Sequence, residues 1–150
     1  MKKIIFAFIV AVVCLSALFL VRYGDKQTSQ SSGIGSVVIG GKKISVETAA
    51  TPVARAQGLS GRTALCQECG MLFTFDTKGS YTFWMKDMNF DLDMLWIADG
   101  KIVQIDKNVP HLEGTSATRV SKIPVSAVLE INAGESDKSG VREGEAITFD

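Results

Sequence analysis

Residues 70–103, GMLFTFDTKGSYTFWMKDMNFDLDMLWIADGKIV, decide the fold. Large apolar side chains recur there at every second position: Met71, Phe73 and Phe75, then Tyr81, Phe83 and Met85, then Phe90, Leu92, Met94 and Trp96. That period of two belongs to strands with a buried face, whereas a helix repeats near 3.6. Strands are therefore predicted at Met71–Phe75, Tyr81–Lys86, Leu92–Ala98 and Lys101–Asp106. Asp76-Thr77-Lys78-Gly79 reads as the turn between the first two, and Asp99-Gly100 as a two-residue hairpin turn. Four charges, Lys86, Asp87, Asp91 and Asp93, interrupt this otherwise apolar centre.

Working outward, Val37–Ile39, Gly40-Gly41 and Lys43–Ala49 form a second hairpin, because Gly-Gly suits the positive φ angles of a tight turn. Thr51 as N-cap, Pro52 at the first helical position and Gly58 beyond the end predict one short helix, Pro52–Gln57. Val125–Asn132 is a further strand, Ala133–Ser139 a helical turn, and Ala146–Phe149 a last strand. The segment Lys107–Pro124 reads as a loop, long for a compact domain. So many strands with short connections must pair mostly antiparallel. The expected fold class is mainly β: a compact antiparallel sandwich, jelly-roll-like or barrel-like, with one or two short helices.

An N-terminal transmembrane helix is expected before it. Met1-Lys2-Lys3 leads into an uncharged, mostly apolar run, Ile4–Val21, followed by Arg22. About 20 apolar residues cross a bilayer. A cleaved signal peptide would have a shorter apolar run and a small-x-small cleavage site, which Val21–Lys26 does not offer. The expectation is a membrane anchor over residues 1–24, with a cleaved signal as the alternative. Residues 25–36, rich in Ser, Gly and Gln, read as a flexible linker, and residues 37–150 as the exported β domain. Lys2, Lys3 and the terminal amine favour a cytoplasmic N-terminus. The chain is then single-pass in the cell membrane with its domain outside, or secreted if the leader is cleaved.

Four of the 16 basic side chains and one of the 16 acidic ones lie in residues 1–35, which leaves twelve against fifteen for the remainder, a formal −3. Such a domain has no electrostatic reason to hold nucleic acid.

Cys66-Gln67-Glu68-Cys69 has the spacing of a redox pair, half a zinc site or a local disulfide. No βαβ context surrounds it, and His111 is the only nitrogen ligand within the domain, so a disulfide between Cys66 and Cys69 is expected, with no metal and no cofactor. Met71, Met85 and Met94 share the apolar period of their strands and read as core; Met88 falls in a turn. His111, in the long loop, lacks a nucleophile beside it at a strand–helix turn.

The charged positions carry more. Asp93 enters its strand among apolar neighbours, and Glu130 lies opposite the face shared by Val125, Ala127, Leu129 and Ile131. Two carboxylates meeting across a sheet would require a cation, and Arg62 and Lys86 are the candidates. Such a cluster could bind a polar ligand, act as general acid and base, or serve only as a structural ion pair.

Gly58-Leu59-Ser60-Gly61-Arg62, Gly70-Met71-Leu72-Phe73, Phe83-Trp84-Met85-Lys86, Leu92-Asp93-Met94-Leu95 and Leu129–Gly134 occur in this order. Together they resemble domain-of-unknown-function family 192, small prokaryotic proteins that are frequently exported, over roughly Val37–Phe149. The resemblance implies a compact, mostly β domain of sandwich or jelly-roll character and no established activity. It places Arg62, Trp84, Asp93 and Glu130 on the family's motif positions. Asp91 stands where the family usually has proline, and Cys66 and Cys69 fall outside its general pattern.

The expected function is a membrane-tethered domain that binds a small polar ligand, a glycan or an envelope protein through Arg62, Trp84, Lys86, Asp93 and Glu130. Trp84 would supply a stacking face and the charges orientation. The alternatives are a small envelope hydrolase or transferase using Asp93 and Glu130 as acid and base, and a purely structural charge cluster.

Overall fold

A computed structural model describes residues 33–116 and 118–149. Strands β1 (Ile34–Ile39), β2 (Lys42–Ala49), β3 (Cys69–Gly79), β5 (Leu92–Ala98), β6 (Lys101–Val109), β8 (Val125–Asn132) and β9 (Thr148–Phe149) form one sheet, in the order β6-β5-β8-β3-β2-β1-β9. A second sheet has two strands, β4 (Thr82–Trp84) and β7 (Thr118–Val120). Helices α1 (Pro52–Gln57) and α2 (Glu135–Lys138) are short, as is a 3-10 turn at His111–Glu113. The domain is thus mainly β, a curled sheet closing to a half-barrel. Register shifts between Thr74 and Gly79, Leu92 and Met94, and Trp96 and Ile97 supply the bends that let one sheet curl.

Pairing is antiparallel except between β2 and β3, which run parallel. The chain passes between them through α1 and the loop after it, the long crossover that a parallel pair demands. Helix α1 keeps its predicted bounds: Thr51 accepts from the Ala54 amide at 3.2 Å, Pro52 opens it and Gly58 ends it at φ +50°.

Each face of the main sheet carries its own core. Val37, Ile44, Val46, Leu72, Leu95, Ile97, Leu129 and Ile131 fill one. Met71, Phe73, Leu92, Met94, Trp96 and Val128 fill the other, joined by Leu59 and Met85 from outside the sheet. Strand β5 lies between β6 and β8 and is buried at all seven positions, so its apolar character spans both faces.

Several boundaries depart from the sequence expectation: the strand expected at Tyr81–Lys86 covers only Thr82–Trp84, and the last strand only Thr148–Phe149. Asp76–Gly79 is not a turn, because β3 continues through it, held by a Lys78–Asp99 ion pair and by the Tyr81 hydroxyl donating to the Thr77 carbonyl at 2.6 Å. The segment Lys107–Pro124 is not all loop: β6 runs to Val109, and Thr118–Val120 pairs with β4. Strand β1 opens at Ile34, pairing with Glu47, so the last residues assigned to the linker belong to the sheet. The anchor expected over residues 1–24 lies outside the described residues, among which no helix is long and apolar enough to cross a membrane.

Candidate functional site

The second sheet face carries a row of five residues in register across five strands: Glu47 on β2, Met71 on β3, Glu130 on β8, Met94 on β5 and Asp106 on β6. Paired residues project from the same side of a sheet, so three carboxyl groups share this face. Two of them are satisfied. Arg62 donates to both oxygens of Glu47 at 2.5 and 2.8 Å, a two-pronged bond that lowers the Glu47 pKa. Asp106 accepts from the Trp96 indole at 2.7 Å and from the Gln104 amide at 3.1 Å.

Glu130, in the centre, differs. It is 4% exposed, and its carboxyl has no hydrogen-bond or ion-pair partner among the described residues. Burial alone pushes its pKa up to about 8, since removal from water penalises the charged form and no nearby cation compensates. The group is therefore mainly a neutral acid at pH 7.

Glu130 helps to line a cavity of about 150 Å³. Phe73 and Phe75 of β3, Tyr81 just before β4, and Phe83 and Trp84 of β4 form aromatic walls, and Arg55–Ser60 closes another side. The rings stand at steep angles: Phe73 and Phe83 meet at 82° with centroids 5.0 Å apart, and Phe83 meets Trp96 at 80° and 5.3 Å. Phe75 stacks on Tyr81 at 3.4 Å, and the Arg55 guanidinium lies 5.1 Å from the Phe75 centroid. Arg55 also donates to the carbonyls of Ala50 at 2.6 Å and Thr74 at 2.8 Å, fixing α1 to the end of β2 and the middle of β3. Trp84 is 49% exposed.

The cover is pinned by local bonds. The Ser60 hydroxyl donates to the Lys86 carbonyl at 2.9 Å and the Gly61 amide to the Asp87 carbonyl at 2.8 Å, joining the α1 loop to the chain leaving β4. Gly58 suits its place because its φ is positive, and a Cβ there would press on the Phe73 ring at 3.3 Å.

Of the residues singled out from sequence, Trp84 and Glu130 line the cavity, and Arg62, Lys86 and Asp93 do not. Arg62 serves Glu47, not Asp93 or Glu130. The Lys86 ammonium is exposed, 4.0 Å from Asp87. Asp93 stands on the opposite face of the sheet, because the residue in register with Glu130 is its neighbour Met94. It is fully buried and accepts from the Ser136 amide at 3.0 Å, the Ser136 hydroxyl at 2.6 Å and the Asn108 amide at 2.8 Å. Asp93 thereby ties α2 and the end of β6 to β5. The expected acid–base pair is corrected accordingly: the two carboxyls are separated by the sheet itself.

Cys66 and Cys69 are joined in a disulfide, and the Asn132 amide donates to the Cys66 carbonyl at 2.9 Å, holding that loop against the end of β8. His111 Nδ1 lies 2.6 Å from Asp91, whose carboxylate also accepts the His111 amide at 2.8 Å; both bonds lower the Asp91 pKa. Among the described residues no cluster of His, Cys, Asp and Glu is placed to hold a metal. Sequence reasoning missed most of the lining, above all Arg55, Phe73, Phe75, Tyr81, Phe83 and the Gly58–Ser60 turn. The run Gly58–Gly61, with two glycines, was the signal for the last of these.

A curled β domain whose aromatic cavity encloses a lone buried acid is the class that fold and site define. Residues 36–149 match the profile of DUF192, described as "Uncharacterized ACR", and the chain belongs to this family. Among the solved structures similar to this chain are two of note. One is a candidate transcription regulator from Sinorhizobium meliloti 1021, 37% identical, with a TM-score of 0.73 over 79% of this chain and 95% of that one. The other is a protein of unknown function from Novosphingobium aromaticivorans DSM 12444, 28% identical, with a TM-score of 0.73 over 81% and 89%. No curated protein matches the chain.

Proposed function

We propose that this protein is a membrane-tethered, extracytoplasmic module that binds a small ligand in the aromatic cavity. One observation carries the reading: Glu130 is buried without a bonding partner among the described residues, at a void lined by aromatic rings. A buried carboxyl with no protein partner at a lined cavity calls for an explanation, and a guest that supplies the missing bond is one. A void of about 150 Å³ admits a benzene-sized guest, so the ligand, or the part of it that enters, is small. Trp84, half exposed, offers a stacking face for whatever extends outside.

The export part of the reading rests on the apolar run Ile4–Val21 after two lysines, and the Cys66–Cys69 disulfide is at home in an oxidising compartment. The Sinorhizobium relative's description as a transcription regulator gains no electrostatic support here, given the acidic balance of the domain.

The test is an NMR screen of the full chain in detergent micelles with polar and apolar compounds of roughly six non-hydrogen atoms, matched to the void. Binders should shift the Gly58 amide and the Trp84 indole while leaving the amides of α2, on the far side of the sheet, unmoved. If no compound moves these signals at millimolar concentration, the cavity is packing space and the reading fails.

A further inference from the structure

We propose that the cavity recognises an organic cation, a primary ammonium group on a short apolar stem, whose charge is received by Glu130 while the stem lies against the rings of Phe73, Phe83 and Trp84. This rests on the cavity being the binding site. The acid and the rings line one cavity, which is partly open to solvent. Aromatic faces carry negative electrostatic potential and attract ammonium groups, more strongly where water is excluded. The steep angles of Phe83 to Phe73, 82°, and to Phe75, 87°, give the cavity walls in more than one plane.

Charge completes the argument. The ionisable groups near Glu130 are few. Its neighbours in the row are Met71 and Met94, neither of which titrates. The other ionisable or charged groups lining the cavity are Arg55 and Tyr81. Arg55 is turned to two backbone carbonyls and the Phe75 ring, and Tyr81 donates to Thr77. Further along the face, Glu47 is matched by Arg62, and Asp106 by Trp96 and Gln104. No protein cation contributes to the Glu130 shift, which burial alone produces. A cation from outside would supply the missing partner, and the acid would lose its proton to the buffer as the ion pair forms.

That coupling gives a signature. With the free acid titrating near 8, about nine-tenths of it is protonated at pH 7, so each ammonium bound there releases about 0.9 proton. Affinity should rise about tenfold from pH 6 to 7, about fivefold from 7 to 8, and level off near 9, while an alkylammonium keeps its charge up to about pH 10.

The experiment titrates the full chain in micelles with n-butylammonium chloride, butyramide and sodium butyrate at pH 6, 7, 8 and 9, following the Trp84 indole signal. Calorimetry in two buffers of different ionisation enthalpy counts the protons. The expected result is that butylammonium binds most tightly, follows the pH law and weakens at least tenfold in Glu130→Gln. Preferred binding of butyramide, or of any probe without proton release, overturns the cation assignment and leaves the cavity reading standing. Preferred binding of butyrate overturns it in favour of Arg55. If none of the three binds at 100 mM while other compounds do, the assignment alone fails; if nothing binds at all, the cavity reading fails with it.

Discussion

Glu130→Gln turns the central feature of the site into a stability measurement that needs no ligand. In the folded protein the acid titrates near 8; in the unfolded chain it titrates near 4.5. Between those values the folded state holds more protons than the unfolded state, so stability must fall as pH rises. The slope is about 1.4 kcal/mol per pH unit, and the whole span of about 3.5 units amounts to about 5 kcal/mol, of which about 3 kcal/mol is lost by pH 7. Glutamine keeps the shape and cannot ionise.

The assay is denaturant unfolding of wild type and Glu130→Gln at pH 5, 6, 7, 8 and 9. Differences between the two proteins cancel groups that the substitution leaves alone. The variant should gain on wild type by about 1 kcal/mol or more for each unit from pH 5 to 8, then run parallel to it. Glu47, Asp91 and Glu135 have the opposite sign: their bonds to Arg62, His111 and Lys138 lower their pKa values, so their contributions are present above the ordinary carboxylate range and lost as pH falls below it. Wild-type stability should therefore peak near pH 5. A flat difference between the two proteins from pH 5 to 9 would mean that Glu130 is solvated or bonded in the folded state and offers no unpartnered acid to a guest.

Two further substitutions test the frame around the site. Asp93→Ala strands three donors, those of Ser136 and Asn108, inside the protein and should destabilise it by about 3 kcal/mol or more, read as a lower denaturant midpoint. The cavity resonances of that variant should stay in place, and a loss under about 1 kcal/mol would refute the tie assigned to Asp93. Gly70→Ala puts a Cβ 2.8 Å from the Glu130 carbonyl and 3.1 Å from Leu129 and Ile131 side chains, so it should destabilise by about 1–3 kcal/mol. An unchanged midpoint would show that β3 and β8 separate more readily than their packing indicates.

Much of this architecture was legible because short-range rules produce it. The Gly40-Gly41 and Asp99-Gly100 hairpins, the Thr51–Pro52 helix start and the β8 strand all appear where propensity and period place them. What failed was decided by contacts that strand period and turn propensity do not encode. Asp76–Gly79 carries turn chemistry, yet the ion pair of Lys78 with Asp99 and the Phe75–Tyr81 stack keep it extended. Thr118–Val120 has no strand signal of its own and exists as one because β4 lies beside it. Period two marked both Asp93 and Glu130 as misplaced charges, but period says only which residues of one strand share a face. Which faces coincide depends on register between strands, and here Met94, not Asp93, falls opposite Glu130.

That register separates two explanations for buried charge. This domain can satisfy a carboxylate: Asp93 has three donors, Glu47 a two-pronged arginine, and Asp106 an indole and an amide. Glu130 sits between two methionines of the same core, where an apolar side chain would remove a penalty of about 3 kcal/mol at pH 7. A structural account of position 130 must explain why the one carboxyl in the middle of the row is the one left without a partner. A ligand-binding account needs no such exception, since an acid already bonded to arginine would have nothing left to offer a guest.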